Sequence, residues 1–388
     1  MTIVSEEQPL RVCLVLGDKG WIFEKFAVRL AENLSHWNVN ADISEKASAA
    51  ADFNHWMVYL DTLTRSDEDL SLRSTMFVTH VDRPAKLAVL KRRLEQAEMG
   101  ICMSRMTVED LVARGLDRRK LCFITAGHDG AIKPRRIKLG ITSRVRPDGA
   151  KREDILLDVA RMMRLEEFHF EIIGRGWEKV IPQLEAAGAT VTYFPGTDDG
   201  QADYRINIER VPHFDYYLYL AFDDGSMGFF DALAAGVPTI VTPIGYHLDV
   251  KGGITFPFGN AAELRDVFQK ILGERRARAD SVARLTWDNY ARGHALIWRA
   301  LLEGRRDEIP ALLQDGSVVS AGAAKADSPC QPRYSLRWAM NRSALYADAC
   351  LLLRRYLGFK CYGLLLNLGR IVKGRRRSKP TQTPGEPK

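Results

Sequence analysis

Short apolar runs alternating with helix-patterned stretches are the feature that most restricts the fold of this chain, because that alternation builds parallel sheets covered by helices. RVCLVLG, from Arg11 to Gly17, is followed by the turn DKG and by WIFEKFAVRLAENL, whose apolar residues recur at helical spacing. Strand, glycine turn and helix open a βαβ unit. Further apolar runs follow at WMVYL (56–60), TMFVTHV (75–81), MGICMS (99–104) and KLCFITAG (120–127), with the helical stretches AKLAVLKRRLEQAE and TVEDLVARG between the later ones. HDGAIKPRRI, His128 to Ile137, has no periodicity and reads as a linker; His128 in it reads as structural.

The alternation then restarts. KLGITSRV, a helix from about Glu153 to Arg164, FHFEIIG, the helix IPQLEAAG, TVTYFPG, FDYYLYLAF, the helix GFFDALAAG, the strand PTIVTPIG and the helix AAELRDVFQKILGERRARA follow in order. The expected architecture is α/β, with one Rossmann-like domain over 1–130 and a second over 131–280. A long helical segment over 281–307, a flexible Gly/Ala/Ser/Pro-rich connector over 308–332 and a basic amphipathic helical tail over 333–388 complete the expectation. A length of 388 residues accommodates two cores.

The six cysteines form neither a C-x-x-C pair nor a Cys/His cluster, which argues against a zinc site and a dense disulfide framework. Cys13, Cys102 and Cys122 lie in apolar runs and are expected to pack as small hydrophobes. MTIVSEEQPLRV has no apolar core after a basic start, so the expected compartment is the cytoplasm. The formal charge of +7 is concentrated after Pro332, where arginines and lysines break the apolar runs before any reaches bilayer length. That pattern suits an anionic membrane surface, and no nucleic-acid partner is expected.

The most informative stretch is DDGSMGFFDALAAGVP, Asp223 to Pro238. A strand ends at Phe222, and an acidic, glycine- and serine-containing loop leads into a helix. Ligands of open α/β sheets bind at such strand ends beside helix N-termini. Backbone N–H groups from Ser226 through Met227 to Gly228 are placed to bind a diphosphate, and Asp223 and Asp231 suit vicinal sugar hydroxyls. Each acid alone also reads as an ordinary loop or helix-start carboxylate. The DDG pairs at 198–200 and 223–225 lack D-x-D spacing, so no metal is expected.

This stretch resembles the E-x7-E signature of the retaining GT-B glycosyltransferases of family four, also called group 1. Asp223 and Asp231 stand at the two glutamate positions, followed by Ala-Leu-Ala-Ala-Gly-Val-Pro. KLGITSRVRPDGAKRED resembles the family's G-R-x strand end and following basic turn, with Ser143 in place of the glycine. The resemblance covers roughly 10–303 and implies two Rossmann-like domains facing a cleft, the late helix crossing back onto the first. It implies that Arg144 and Lys151 grip the donor diphosphate, that Asp223 contacts donor-sugar hydroxyls and that Asp231 contacts the ribose. It also places the Gly17–Gly20 turn near the diphosphate and His80 at a strand end facing the sugar. The catalytic candidates are therefore His80, Arg144, Lys151 and Asp223. The donor-binding candidates are Gly17, Gly20, Arg144, Lys151, Asp223, Ser226, Met227, Gly228 and Asp231.

The implied activity is transfer of a sugar from a nucleoside diphosphate sugar to a glycan or lipid-linked acceptor, with retention, without metal or other cofactor, in surface polysaccharide synthesis. Two alternatives stay open: a sugar-nucleotide epimerase of the same plan, and a degenerate transferase that binds without chemistry. The G-x-G-x-x-G fingerprint of NAD enzymes is absent after the first strand. His247 and Asp249, in GYHLD, read by default as loop contacts.

Overall fold

The computed structural model describes residues 8–17, 19–60, 71–146, 148–197 and 200–314. They form two compact α/β units, one made of residues up to 130 together with those from 283 onward, the other of residues 131–282.

The first unit holds a six-stranded sheet in the order β2-β1-β3-β4-β5-β6, with every pairing parallel. Its strands are β1 (Leu10–Val15), β2 (Val39–Ser44), β3 (Phe53–Trp56), β4 (Ser74–Val78), β5 (Met99–Cys102) and β6 (Leu121–Phe123). Strands β3, β4 and β5 are buried along their whole length, as expected for a parallel sheet covered on both faces. The run WMVYL contributes only Trp56 to a strand; the Met57 amide makes a last bond to the Val15 carbonyl and the chain then turns. Cys13, Cys102 and Cys122 are buried free thiols, and burial pushes Cys102 up to about 12.

Helix α1 (Ile22–Leu34) buries Phe26, Ala27, Leu30 and Leu34, a stripe at helical period. Helices α2 (Pro84–Gln96) and α3 (Arg105–Ala113) follow in the βα alternation, α3 capped by Ser104, whose hydroxyl accepts the Thr107 N–H.

The second unit holds a parallel sheet in the order β12-β11-β10-β7-β8-β9. Its strands are β7 (Ile137–Thr142), β8 (Phe168–Ile173), β9 (Thr190–Phe194), β10 (Tyr216–Tyr219), β11 (Thr239–Val241) and β12 (Phe256–Pro257). The helices are α4 (Asp154–Met162), α5 (Ile181–Ala186), α6 (Gly200–Arg210), α7 (Met227–Ala234) and α8 (Ala261–Asp280). Phe168 packs against Phe268 of α8 at 4.8 Å between ring centroids, joining sheet to helix in one core.

Helix α9 (Trp287–Leu302) returns to the first unit, with Thr286 as its N-cap. Trp287 meets Phe26 edge-on at 5.2 Å, and the fully buried Trp298 donates its indole N–H to Thr75 Oγ1 at 2.9 Å. A buried side chain of this size contributes about 3–5 kcal/mol against truncation to alanine.

The first residues of the connector expected over 308–332 are helical. Residues Ile309–Gln314 form a short helix, α10, because Ile309 and Leu313, four apart, both bury in the first unit's core. The rest of the expected connector and the basic tail over 333–388, with its proposed membrane contact, lie outside the described residues. So do Asp18, Pro147, Asp198 and Asp199. Among the described residues no helix is long and apolar enough to cross a membrane.

Candidate functional site

In the second sheet β7 is flanked by β8 on one side and β10 on the other, so the chain leaves β7 in one direction and later returns beside it. Open α/β sheets hold ligands beyond the carboxyl ends of the strands at such a reversal, here those of β7 and β10.

The loop after β7 is fastened at several points. The Ser143 carbonyl accepts the Trp177 indole N–H at 2.8 Å, and the Val145 amide bonds the Arg175 carbonyl at 2.8 Å. Further on, the Ala150 carbonyl accepts the Phe222 amide at 3.0 Å, and Arg152, at a left-handed φ of 52°, donates to the Gly259 carbonyl. These bonds fix Lys151 against the end of β10.

Lys151 Nζ lies 2.5 Å from Asp223 Oδ2 and donates to the Tyr219 hydroxyl at 2.9 Å. The Tyr219 hydroxyl in turn donates to Asp223 Oδ1 at 2.7 Å, and the Gly225 amide reaches the same oxygen at 3.2 Å. Partial burial works to raise the Asp223 carboxyl, but the Lys151 and Tyr219 hydrogen bonds, the Gly225 amide and the Lys151 charge together hold it below the usual carboxylate range. Burial, and then the bond to Asp223, push the Tyr219 phenol far above its ordinary value, so it stays a neutral donor. Gly225 has φ of 124°, and a Cβ there would stand 2.6 Å from the Tyr246 ring, so both backbone and space require glycine.

The start of α7 closes the site. Ser226 is its N-cap: the hydroxyl accepts the Gly228 N–H at 3.2 Å and bonds the Tyr217 hydroxyl, which continues to Thr142 Oγ1 at 3.0 Å. Gly228 packs so closely that an added Cβ would collide with Thr142 Oγ1 and lie 2.7 Å from the Tyr217 hydroxyl. His247, fully buried, donates from Nδ1 to the Thr242 carbonyl at 3.0 Å and accepts the Ser226 N–H on Nε2 at 3.2 Å.

This pattern corrects one expectation. Of the three amides from Ser226 to Gly228, two are already engaged, by His247 and by the helix's own cap, which leaves the amide of Met227 for an anion. Met227 is 70 % exposed.

The remaining candidates are placed as follows. Arg144 stands exposed just beyond β7 and has no side-chain hydrogen bond or ion pair among the described residues. Asp231 is half-buried on the face of α7 that meets α6 and the turn after it, lining a pocket of about 210 Å³ with Asn207, Val211 and Pro212. Among the described residues no hydrogen bond or ion pair joins Asp231 to Asp223, Lys151 or Arg144, so the two acids do not act on one spot by direct contact. Helical geometry explains this: Asp231 lies more than a turn past the cap and faces sideways.

In the first unit, Gly17 follows β1, and Gly20, with φ of 80°, donates its N–H to Glu24 at 2.6 Å. His80 lies exposed two residues past β4; desolvation first, then the Lys86 charge, lower its pKa, so it is neutral at physiological pH. Tyr219, Tyr217 and Thr142 carry no local signal of a site in the sequence, and His247, a loop contact by default there, bonds the start of α7. Among the described residues no group of three or more His, Cys, Asp or Glu side chains stands at metal-ligand geometry.

No protein-family model matches the sequence, and no curated protein matches it. Several solved structures resemble the chain at low similarity. Anabaena HepE in complex with UDP and glucose matches at 12 % identity over 79 % of this chain and 99 % of its own, with a TM-score of 0.27. The lipopolysaccharide outer core galactosyltransferase WaaB, in its apo form, matches at 13 % over 75 % and 100 %, with 0.29. The UDP-GlcNAc 2-epimerase of Neisseria meningitidis bound to UDP-GlcNAc matches at 10 % over 76 % and 100 %, with 0.26. At such values neither ligand nor activity passes to this chain.

Proposed function

We propose that this chain is a glycosyltransferase that moves a sugar from a nucleoside diphosphate sugar to a glycan or lipid-linked acceptor, with retention of configuration. The observation that carries the reading is the Lys151–Asp223–Tyr219 arrangement beside the capped start of α7, at the reversal point of the sheet.

The electrostatics fit an anionic leaving group. Asp223 alone would repel a diphosphate, but its contact with Lys151 makes the pair neutral overall. An arriving diphosphate then meets the uncompensated charge of Arg144, the Met227 amide and a Lys151 N–H donor whose charge Asp223 partly offsets. Negative charge grows on the diphosphate as the glycosidic bond breaks, so fixed cations stabilise the transition state more than the ground state. Asp223, held ionised and partly exposed, keeps lone pairs for sugar hydroxyls. In this reading Arg144 and Lys151 do what a divalent ion does elsewhere, and turnover is insensitive to chelators.

The test is a thermal-shift screen of UDP-, GDP-, ADP- and dTDP-sugars followed by a nucleotide-release assay with candidate acceptors. One nucleotide class should stabilise the fold, and Lys151→Ala should lose nucleotide release while staying folded. Normal release by the folded Lys151→Ala variant sinks the proposal. Sugar turnover that frees no nucleotide with any acceptor points to an epimerase instead.

A further inference from the structure

The amino-terminal ends of β7 and β10 frame a second concavity, on the opposite edge of the sheet from Asp223. Its volume is about 430 Å³, within the range of small-ligand pockets. Ile137 and Tyr216, the first residues of the two strands, form part of its wall, and Ile271 of α8 forms another.

The charge lining it is one-sided. On α8, Ile271, Arg275 and Arg278 follow at spacings of four and three, so one helix face carries the apolar wall and two guanidiniums into the pocket. Arg136 reaches it from the segment before β7. Arg136, Arg275 and Arg278 have no side-chain hydrogen bond or ion pair among the described residues. The one acid in the lining, Asp215, is largely engaged: both its oxygens bond Arg135, at 2.6 and 2.7 Å, one also accepts the Lys138 N–H at 2.8 Å, and the Arg275 charge is felt only as a weaker, unbonded influence. Arg276, on another face, pairs with Glu167 and takes no part.

The C-terminal end of a helix favours a cation. That preference accounts for an arginine in the last turn, but not for three unpaired guanidiniums around one hollow, whose mutual repulsion is unfavourable until an anion enters. Guanidinium forks match phosphate oxygens in geometry and charge. We propose that this pocket is a binding site for a terminal phosphate or pyrophosphate group, carried either by a soluble molecule or by a lipid headgroup, and separate from the site at Asp223.

The test uses the full chain carrying Lys151→Ala, which removes the ammonium at the other site, and titrates it calorimetrically with pyrophosphate at constant ionic strength. Adding Arg275→Gln and Arg278→Gln should weaken binding tenfold or more; a smaller loss overturns the proposal. Arg136→Glu, at an exposed position, gives the same test should the double variant fold poorly, and it should also weaken binding at least tenfold. Sedimentation with phosphatidylcholine vesicles containing phosphatidic acid or, separately, phosphatidylserine identifies the source. A tenfold arginine-dependent loss of retention on phosphatidic acid alone assigns the group to a lipid. Arginine-dependent pyrophosphate binding with unchanged retention assigns it to a soluble molecule.

Discussion

The Ser226 amide donates to His247 Nε2 at 3.2 Å, so a buried imidazole from the loop after β11 sets where α7 begins. The ring's other nitrogen bonds the Thr242 carbonyl, so both ring nitrogens are engaged and none is left for chemistry. His247→Leu should therefore act through position. It leaves the Ser226 N–H and the Thr242 carbonyl without this partner and should destabilise the fold by about 1–3 kcal/mol, read from urea unfolding. In the proposed reaction KM for the donor should rise more than kcat falls.

Lys151→Ala should lower turnover by about 10²–10³-fold, the usual scale for removing one donor aimed at developing charge. Steady-state nucleotide release on protein with unchanged circular dichroism checks this.

Asp223 gives a pH signature. Its folded pKa lies below the unfolded value of about 3.9, so its contribution to stability is complete above about pH 4 and is lost as pH falls through the lower folded value. The difference in melting temperature between wild type and Asp223→Asn should be flat from neutrality down to that point and shrink below it. A difference that instead shrinks between pH 7 and 5 contradicts the ion-pair account.

Gly228→Ala tests the close approach of α7 to β7. An alanine inside a helix normally stabilises by about 0.5–1 kcal/mol over glycine. Here the methyl meets Thr142 Oγ1 and the Tyr217 hydroxyl, so the sign should reverse, with a lower melting temperature and loss of any donor-induced thermal shift. A Gly228→Ala protein as stable as wild type would mean that the helix start can move.

The first unit should be acid-sensitive through His294. This ring is fully buried, donates from Nδ1 to the Tyr290 carbonyl at 2.9 Å, and lies 5.1 Å from the ring of buried His55, among Thr75, Tyr290 and Trp298. Burial lowers it from 6.5 to about 4. The unfolded chain therefore binds a proton that the folded chain refuses, and stability should fall as pH drops below about 6.5, by about 2 kcal/mol on reaching pH 5. His294→Phe should make that slope shallower in urea titrations without abolishing it, because burial also holds His55 well below its ordinary value.

Much of this fold is legible in the chain because buried parallel strands are nearly continuous apolar runs, and β4, β5, β7 and β8 stand out for that reason. The strands that do not stand out are at sheet margins. In β2, VNADIS mixes polar and apolar residues because much of it is exposed, and β12 is only two residues long. Helix α6 lacks a strong apolar stripe and does not stand out in the sequence. In the site, Asp223 and Lys151 were found by their order along the chain. Tyr219 was hidden in YLYLAF, where it reads as one more core aromatic, and His247 gains its role from a contact across 21 residues. Tertiary contacts of that kind leave no local pattern.

The first unit's core is completed by residues that follow the whole second unit: Trp287, Tyr290, Trp298, Ile309 and Leu313. During synthesis, then, Phe26 lacks its partners Trp287 and Tyr290 until the 152 residues of the second unit, 131–282, have been made. A chain cut short at residue 282 would lack these core residues, so a truncation or substitution between 287 and 313 is felt in the sheet that the chain makes first.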